Sequence, residues 1–387
     1  MRSRGADAAG ARAGAATLRA ARLDALVYLD GYDRCHRLDI VAQRPRAAPL
    51  VASYFGFLAS LGAGSTVNAI VADALSLPPA PAAAPRLYAE RRLLRLPAGR
   101  SFFVSDHATM HAELLGAPPF SWPAAPDARF EAALAPLPAN AAADAAAAPF
   151  TFCCFSQLFK LSAETVAAWL AVLRRAPRAR LVLMDHPPTA RANLEAHLAA
   201  VAPALAARVR FLPLLPRAEH LLAKRAACAL GLDTFFYNGH TSVADLLWAG
   251  VPVLTYASAN SSMAGRAAAS LIAAAGAPRD FFAAAGADEY VETAVRVYEA
   301  YMAALPSTVL ASVSASESAA AGVGADGEHT AEGTAAAVAT AVANDPLLWR
   351  PTKDAPLFDR EGFARAFEDV IAAAAEAAAV EASAAGA

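Results

Sequence analysis

Apolar runs alternate with polar loops most regularly between residues 150 and 300. Phe150 to Phe155 is an apolar run of strand length, followed by the polar loop Ser156-Gln157-Leu158-Phe159-Lys160. Ser162 is placed to cap an amphipathic helix through Leu173, whose apolar positions Val166, Trp169, Leu170 and Leu173 share one face. Pro177 ends that helix. Leu181 to Met184 predicts a strand, 189–207 a helix and Val209 to Leu212 another strand, and Leu214 to His220 is a loop entering a short helix. Ala227 to Tyr256 then reads as strand, loop, helix and strand, the helix starting at His240-Thr241-Ser242 and stopping at Gly250. Helices from Met263 to Ala274 and from Glu289 to Tyr301 follow. Such alternation predicts a parallel sheet covered by helices.

The first part of the chain is less regular. Leu23 to Leu29, Leu50 to Phe55, Asn68 to Asp73 and Ser101 to Val104 read as strands, the last ending in Ser105-Asp106-His107, while 86–97 is mixed. The pattern divides the chain into a first lobe at 23–116, a Pro- and Ala-rich linker at 117–149 and a second lobe at 150–310. A low-complexity insertion at 311–345, disordered or partly helical, precedes a C-terminal region at 346–387 whose helix carries Phe363, Phe367 and Val370. Residues 1–22, rich in Arg and Ala, read as a disordered or targeting-like leader outside the fold.

Composition narrows the partners. The 387 residues carry a net charge of -2, which argues against a nucleic-acid binder. Alanine inflates the 57% hydrophobic fraction, and no uninterrupted apolar run reaches the roughly 18–20 residues that span a bilayer, so no membrane partner is expected. Cys35, Cys153, Cys154 and Cys228 lack metal-type spacing and read as buried free thiols of a reducing compartment. No P-loop, HExxH or GxSxG is present, and the eight histidines are scattered; no metal and no cofactor is expected.

Three loops share one composition, with basic or hydroxyl residues at strand ends. Lys160 can neutralise a phosphate as a point charge, or be a surface lysine near a helix start. Arg217 and His220 lie one helical turn apart, suited to phosphate or ribose and to a planar ring, or simply to a solvated helix start. His240, Thr241 and Ser242 open a helix whose first-turn N–H groups suit a phosphate, with Asp245 one turn further on to accept ribose hydroxyls. On that stretch alone a phosphate site and a plain Thr241 N-cap are equally good readings. In a parallel sheet all three loops reach the same edge, which would gather Lys160, His220, Thr241 and Asp245 around one nucleotide diphosphate.

The segments CFSQLFK (154–160), LPLLPRAEH (212–220) and GLDTFFYNGHTSVADLLWAGVPVLT (231–255) resemble the catalytic C-lobe of the protein O-GlcNAc transferases, glycosyltransferase family 41. Residues 24–107 resemble its N-lobe more loosely. The resemblance implies an α/β, GT-B-like fold: two Rossmann-like lobes facing a cleft, the first shortened and without the family's helical repeats. It implies an inverting, metal-independent enzyme that moves N-acetylglucosamine from UDP-GlcNAc to Ser/Thr hydroxyls of acceptor proteins in the cytoplasm or nucleus. Organelle import through the Arg/Ala-rich leader is the alternative location. Carried over by position, Lys160 would bind the diphosphate and stabilise departing UDP, Gln157 would contact the nucleotide and His220 would pack on uracil. Arg217 stands where the family has lysine. His240, Thr241 and Ser242 would hold the diphosphate and Asp245 the ribose, and His107 is the candidate catalytic residue on the acceptor side or, equally, a structural residue capping a strand end. Alternative readings are a GDP-fucose protein O-fucosyltransferase, a cytoplasmic N-glucosyltransferase of the same superfamily, and a non-catalytic UDP-sugar-binding module.

Overall fold

A computed structural model describes residues 8–30, 38–56, 58–62, 66–79, 88–110, 112, 150–258, 261–283, 285–305 and 345–386. The expected linker at 117–149 and all but the last residue of the expected insertion at 311–345 lie outside these. The chain divides into two compact units. One comprises Met1–Val104, Ser262–Ala264 and Asp359–Ala387; the other comprises Ser105–Ser261 and Gly265–Phe358. The division departs from the expected boundaries: His107 belongs with the second unit, and the C-terminal helix with the first.

The first unit starts with helix α1 (Ala8–Ala20), then strand β1 (Ala25–Tyr28) and the short helix α2 (Leu38–Val41). The stretch expected to be a leader therefore contributes a folded element. Alanine is the strongest helix former, and Ala11 and Ala15, one turn apart, are buried. Strands β2 (Leu50–Ser53), β3 (Ala69–Ala72) and β4 (Arg92–Arg95) complete a parallel sheet in the order β1-β2-β3-β4. On one face Leu50, Ala52, Ala69 and Val71 pack against Ala374, Ala375 and Ala378 of the C-terminal helix (Arg360–Gly386). These small side chains let helix and sheet approach closely. The other face buries Tyr28, Val41, Val51, Leu61 and Val67 together.

The fourth strand is not the expected one. Phe102 and Phe103 are buried, but the Phe102 N–H donates to Asp73 Oδ2 at 2.8 Å and the Phe103 N–H to Ser101 Oγ at 3.1 Å. Side chains thus satisfy the backbone that a sheet ladder would otherwise pair, and the ladder goes to the Arg-flanked β4 instead.

The second unit opens with the short helix α3 (His107–Met110) and strand β5 (Phe150–Cys154). Helix α4 (Ala163–Arg175), strand β6 (Ala179–Met184), helix α5 (Pro188–Val201) and strand β7 (Val209–Leu212) follow. Ser162 caps α4 as expected, its side chain accepting the Thr165 N–H. Next come helix α6 (Arg217–Ala227), strand β8 (Leu230–Leu232), helix α7 (Thr241–Trp248) and strand β9 (Val253–Tyr256). Helix α8 (Ala267–Ala274), strand β10 (Phe282–Ala283) and helix α9 (Ala287–Ala304) complete the series.

Every described pairing in this six-stranded sheet is parallel, and the order is β10-β9-β8-β5-β6-β7. From β5 the chain winds outward to β7, then returns to β8 on the other side of β5. That order is the doubly wound, dinucleotide-binding one, and its switch point lies between β5 and β8. Phe150, Phe152, Trp169, Phe281, Tyr290 and Tyr301 are fully buried in its core. The Trp169 indole N–H donates to the Tyr290 hydroxyl at 3.2 Å, and that hydroxyl donates to the Asp233 carbonyl at 3.0 Å. The core thereby holds the end of β8 in place.

Two of the cysteines differ from expectation, and Cys35 lies outside the described residues. Cys153 on β5 and Cys228 just before β8 form a disulfide, their Cα atoms 5.7 Å apart. Neighbouring strands bring them within bonding reach. Cys154 is free and buried, its thiol pushed up to about 12 chiefly by burial. Thiol usage therefore no longer argues for a reducing compartment. Among the described residues no helix is long and apolar enough to cross a membrane.

Candidate functional site

The loops after β5 and β8 flank the switch point and carry Gln157, Lys160 and His240, the last leading into α7 with Thr241, Ser242 and Asp245; Arg217 and His220 lie instead on α6 after β7, and His107 on α3. After β5, Phe155 and Ser156 are buried and Gln157 is exposed, leading a short 3-10 turn from Leu158 to Lys160. The Leu158 N–H donates to the His186 carbonyl at 2.9 Å, which fixes the turn. Lys160 Nζ donates to the Asn238 carbonyl at 2.8 Å and lies 4.1 Å from the Tyr237 ring centroid. Burial pulls its pKa below the usual lysine value, opposed by the nearby Asp233 and Cys154. The lysine thus spans from the end of β5 to the loop after β8.

Asp233 organises that second loop. Its Oδ1 accepts the Gly239 N–H at 2.8 Å and its Oδ2 accepts the Thr255 hydroxyl at 2.9 Å. Burial pushes its carboxyl up to about 6, against these hydrogen bonds and Lys160. Asn238 Nδ2 donates to the Thr234 carbonyl at 2.6 Å, and Asn238 Oδ1 accepts the Ala268 N–H at 3.2 Å. These bonds set the entry of the chain into α7.

At that entry His240 occupies the cap position, with φ -108 and ψ -87, and no side chain caps the helix. Thr241 is the first helical residue and exposed, so the plain N-cap reading of Thr241 does not hold. The first-turn N–H groups, at the positive end of the helix, have no capping side chain. Ser242 Oγ lies 3.2 Å from Ser156 Oγ, joining the two loops.

Two imidazoles have buried nitrogens without partners among the described residues: His240 Nε2 and His220 Nε2. Burial lowers the His240 pKa to about 3, assisted by Lys160, and the His220 pKa to about 4, assisted by Lys224 and opposed by Asp245. Both rings are neutral at pH 7, each with one donor and one acceptor. His220 stands edge-on to Phe155, ring centroids 5.5 Å apart. Arg217 is the first residue of α6; its side chain lies outside the described residues.

Asp245 is held from two sides. Its Oδ2 accepts Lys224 Nζ at 2.9 Å, and its Oδ1 lies 3.2 Å from His107 Nε2. Lys224 escaped the sequence reading, although it follows His220 by one turn of α6. The side chain of His107 is 1% exposed, its ring packed against Trp248 and Phe358 at centroid distances of 5.8 and 5.4 Å. This enclosure leaves no ring edge to meet an acceptor, and what His107 does touch is Asp245.

Gly239 is required by space. A Cβ there would lie 2.6 Å from Ser242 Oγ, 2.8 Å from Val243 Cγ2 and 3.0 Å from Ser156 Oγ. Val243 is stiff at χ1 in a helix. Gly239→Ala is expected to cost about 1–3 kcal/mol by overpacking against the first turn of α7. Urea unfolding checks this, and an unchanged unfolding free energy would refute the constraint.

The family match covers these same loops. Residues 141–318 match the model of glycosyl transferase family 41. The probable UDP-N-acetylglucosamine–peptide N-acetylglucosaminyltransferase SEC of Arabidopsis thaliana is 32% identical over 257 residues, 66% of this chain and 23% of that protein. The UDP-N-acetylglucosamine–peptide N-acetylglucosaminyltransferase of Giardia intestinalis is 36% identical over 107 residues, 28% of this chain and 7% of that protein. The chain thus spans less than a quarter of the length of either curated relative. A solved structure of a mutant O-GlcNAc transferase from Thermobaculum terrenum is similar at TM-score 0.55 and 22% identity, covering 94% of this chain and 56% of that one. That likeness shows the fold, which is GT-B-like with two parallel sheets. All three candidate loops lie inside residues 141–318, the stretch that matches the glycosyl transferase family 41 model.

Proposed function

We propose that this chain is a glycosyltransferase that moves N-acetylglucosamine from UDP-GlcNAc to Ser/Thr hydroxyls of proteins, with inversion and without a metal. The observation that carries the reading is the uncapped N-terminus of α7, flanked by Lys160 and by the unpartnered Nε2 of His240. As the bond from the anomeric carbon to the UDP oxygen breaks, negative charge grows on the diphosphate. The first-turn N–H groups of α7, the Thr241 and Ser242 hydroxyls and Lys160 are donors of the kind that charge requires, supplied without a cation. Attack by the acceptor oxygen opposite the departing phosphate inverts the anomeric centre, and the hydroxyl's proton leaves to the released UDP or to water. In the same reading His220 borders the uracil and Asp245 accepts the ribose hydroxyls. His107 and Lys224 then orient Asp245, so His107 is a positioning residue instead of a catalytic one.

UDP without added magnesium is expected to raise the melting temperature, because a ligand held by the native state alone stabilises it by mass action. Incubation with UDP-GlcNAc and acceptor peptides should then add a HexNAc mass on Ser or Thr. A melting temperature that other nucleotides raise and UDP does not would sink the donor assignment. UDP binding with no sugar on any peptide would favour the non-catalytic module.

A further inference from the structure

The amino-terminal edge of the first unit's sheet borders a cavity of about 610 Å³. Asp24, Pro49, Asn68 and Arg91, each directly preceding a strand, lie on its wall. The volume falls within the roughly 300–1,000 Å³ range of small-molecule pockets. Its lining is strongly cationic, with Arg19, Arg22, Arg46, Arg91 and Arg92 facing only two acids, Asp24 and Glu381. Glu381 engages Arg92 at 2.8 Å and Arg91 at 3.4 Å, and Arg19 reaches the Pro45 carbonyl at 3.3 Å. The side chains of Arg22 and Arg46 have no partner among the described residues.

Arg22 has a second peculiarity. It follows α1 with φ 51, its N–H donating to the Arg19 carbonyl at 3.1 Å. Left-handed residues just past a helix end are ordinarily glycine, because a Cβ there is unfavourable. Arg22 adopts this conformation at a cost to stability and lines the cavity.

We propose that this cavity binds a small soluble anion carrying several phosphate groups. Guanidinium forks match phosphate oxygens two at a time, and several arginines around one concavity favour a multiply charged ligand over a single phosphate. The site lies in the unit that does not hold the candidate UDP loops, so it stands independently of the proposed transferase activity.

The test is calorimetric titration of the full chain with tripolyphosphate at low ionic strength, with and without saturating UDP. Binding is expected in both cases. The doubly substituted R22E/R46E chain should lose at least tenfold in tripolyphosphate affinity, weakening further with salt, while its UDP affinity stays put. Arg22→Gly should raise the melting temperature while weakening tripolyphosphate several-fold, a divergence that a merely structural arginine would not produce. The proposal is overturned if tripolyphosphate fails to bind, if UDP or the Lys160→Met substitution abolishes its binding, or if R22E/R46E binds like the parent. Sedimentation with phosphatidylserine vesicles separates a lipid source: pelleting that tripolyphosphate reverses would assign the anion to a headgroup and overturn the soluble ligand.

Discussion

Lys160→Met is expected to lower sugar transfer by about 10²–10³-fold, the loss found when one preorganised donor to a developing oxyanion is removed. The fold should survive it. In the parent the ammonium donates to the Asn238 carbonyl and lies over Tyr237, contacts that stabilise the loop after β8. Those gains are opposed by the burial that lowers its pKa, so a methionine of similar reach gives up a hydrogen bond but also escapes desolvation. A net destabilisation of about 1 kcal/mol is the expected order. Initial rates of HexNAc transfer by mass spectrometry, set beside thermal melts, separate the two effects. If transfer and folding fell in parallel, Lys160 would be a structural lysine pinning Asn238, and the diphosphate would have to be met by other donors.

That the lysine was legible in the sequence owes much to where it stands. Phe150 to Phe155 is apolar but for Thr151, as suits a strand buried on both faces, so the first run of polar residues after it marks the carboxyl edge of the sheet. The same logic found His240 to Asp245 after β8. It could not find Lys224, because a buried lysine in the middle of an amphipathic helix reads like any solvated one; its burial and its ion pair with Asp245 arise only in the packed unit. It also missed Asp233 as the organiser of the loop, since a strand-end aspartate shows its partners only when Gly239 and Thr255 fold back onto it. In the first unit the hydrophobic run at Phe102 and Phe103 outweighed Arg-Leu-Leu-Arg as a strand signal. Burial and ladder pairing coincide in most strands, and here side-chain acceptors uncoupled them. His107 was legible as polar and strand-terminal but not as enclosed, because enclosure by Trp248 and Phe358 is a property of the packed unit.

The two neutral imidazoles are expected to make the protein acid-sensitive, with His240 and His220 each contributing about 2 kcal/mol of lost stability between pH 7 and pH 5. Their folded pKa values of about 3 and about 4 lie below the ordinary histidine value of 6.5. Below pH 6.5 the unfolded chain therefore takes up protons that the native state refuses, and stability falls as the pH drops. Asp233 works the other way. Its folded value of about 6 lies above the ordinary 3.8, so the native state takes up the proton first and gains about 1 kcal/mol as the pH falls from 7 to 5. The histidines together outweigh the aspartate, for a net loss of about 2–3 kcal/mol from these three groups. Other carboxylates titrate in every variant, so the comparison is made by difference. Urea unfolding of the parent, His240→Asn and the double H220N/H240N chain at pH 7 and pH 5 should show the acid loss shrinking by about 2 kcal/mol at each step. Equal acid losses in all three would mean that the imidazoles are already solvated in the native state. The unpartnered nitrogens at the start of α7 and on α6 would then be hydrated and would no longer mark a site built to receive a nucleotide.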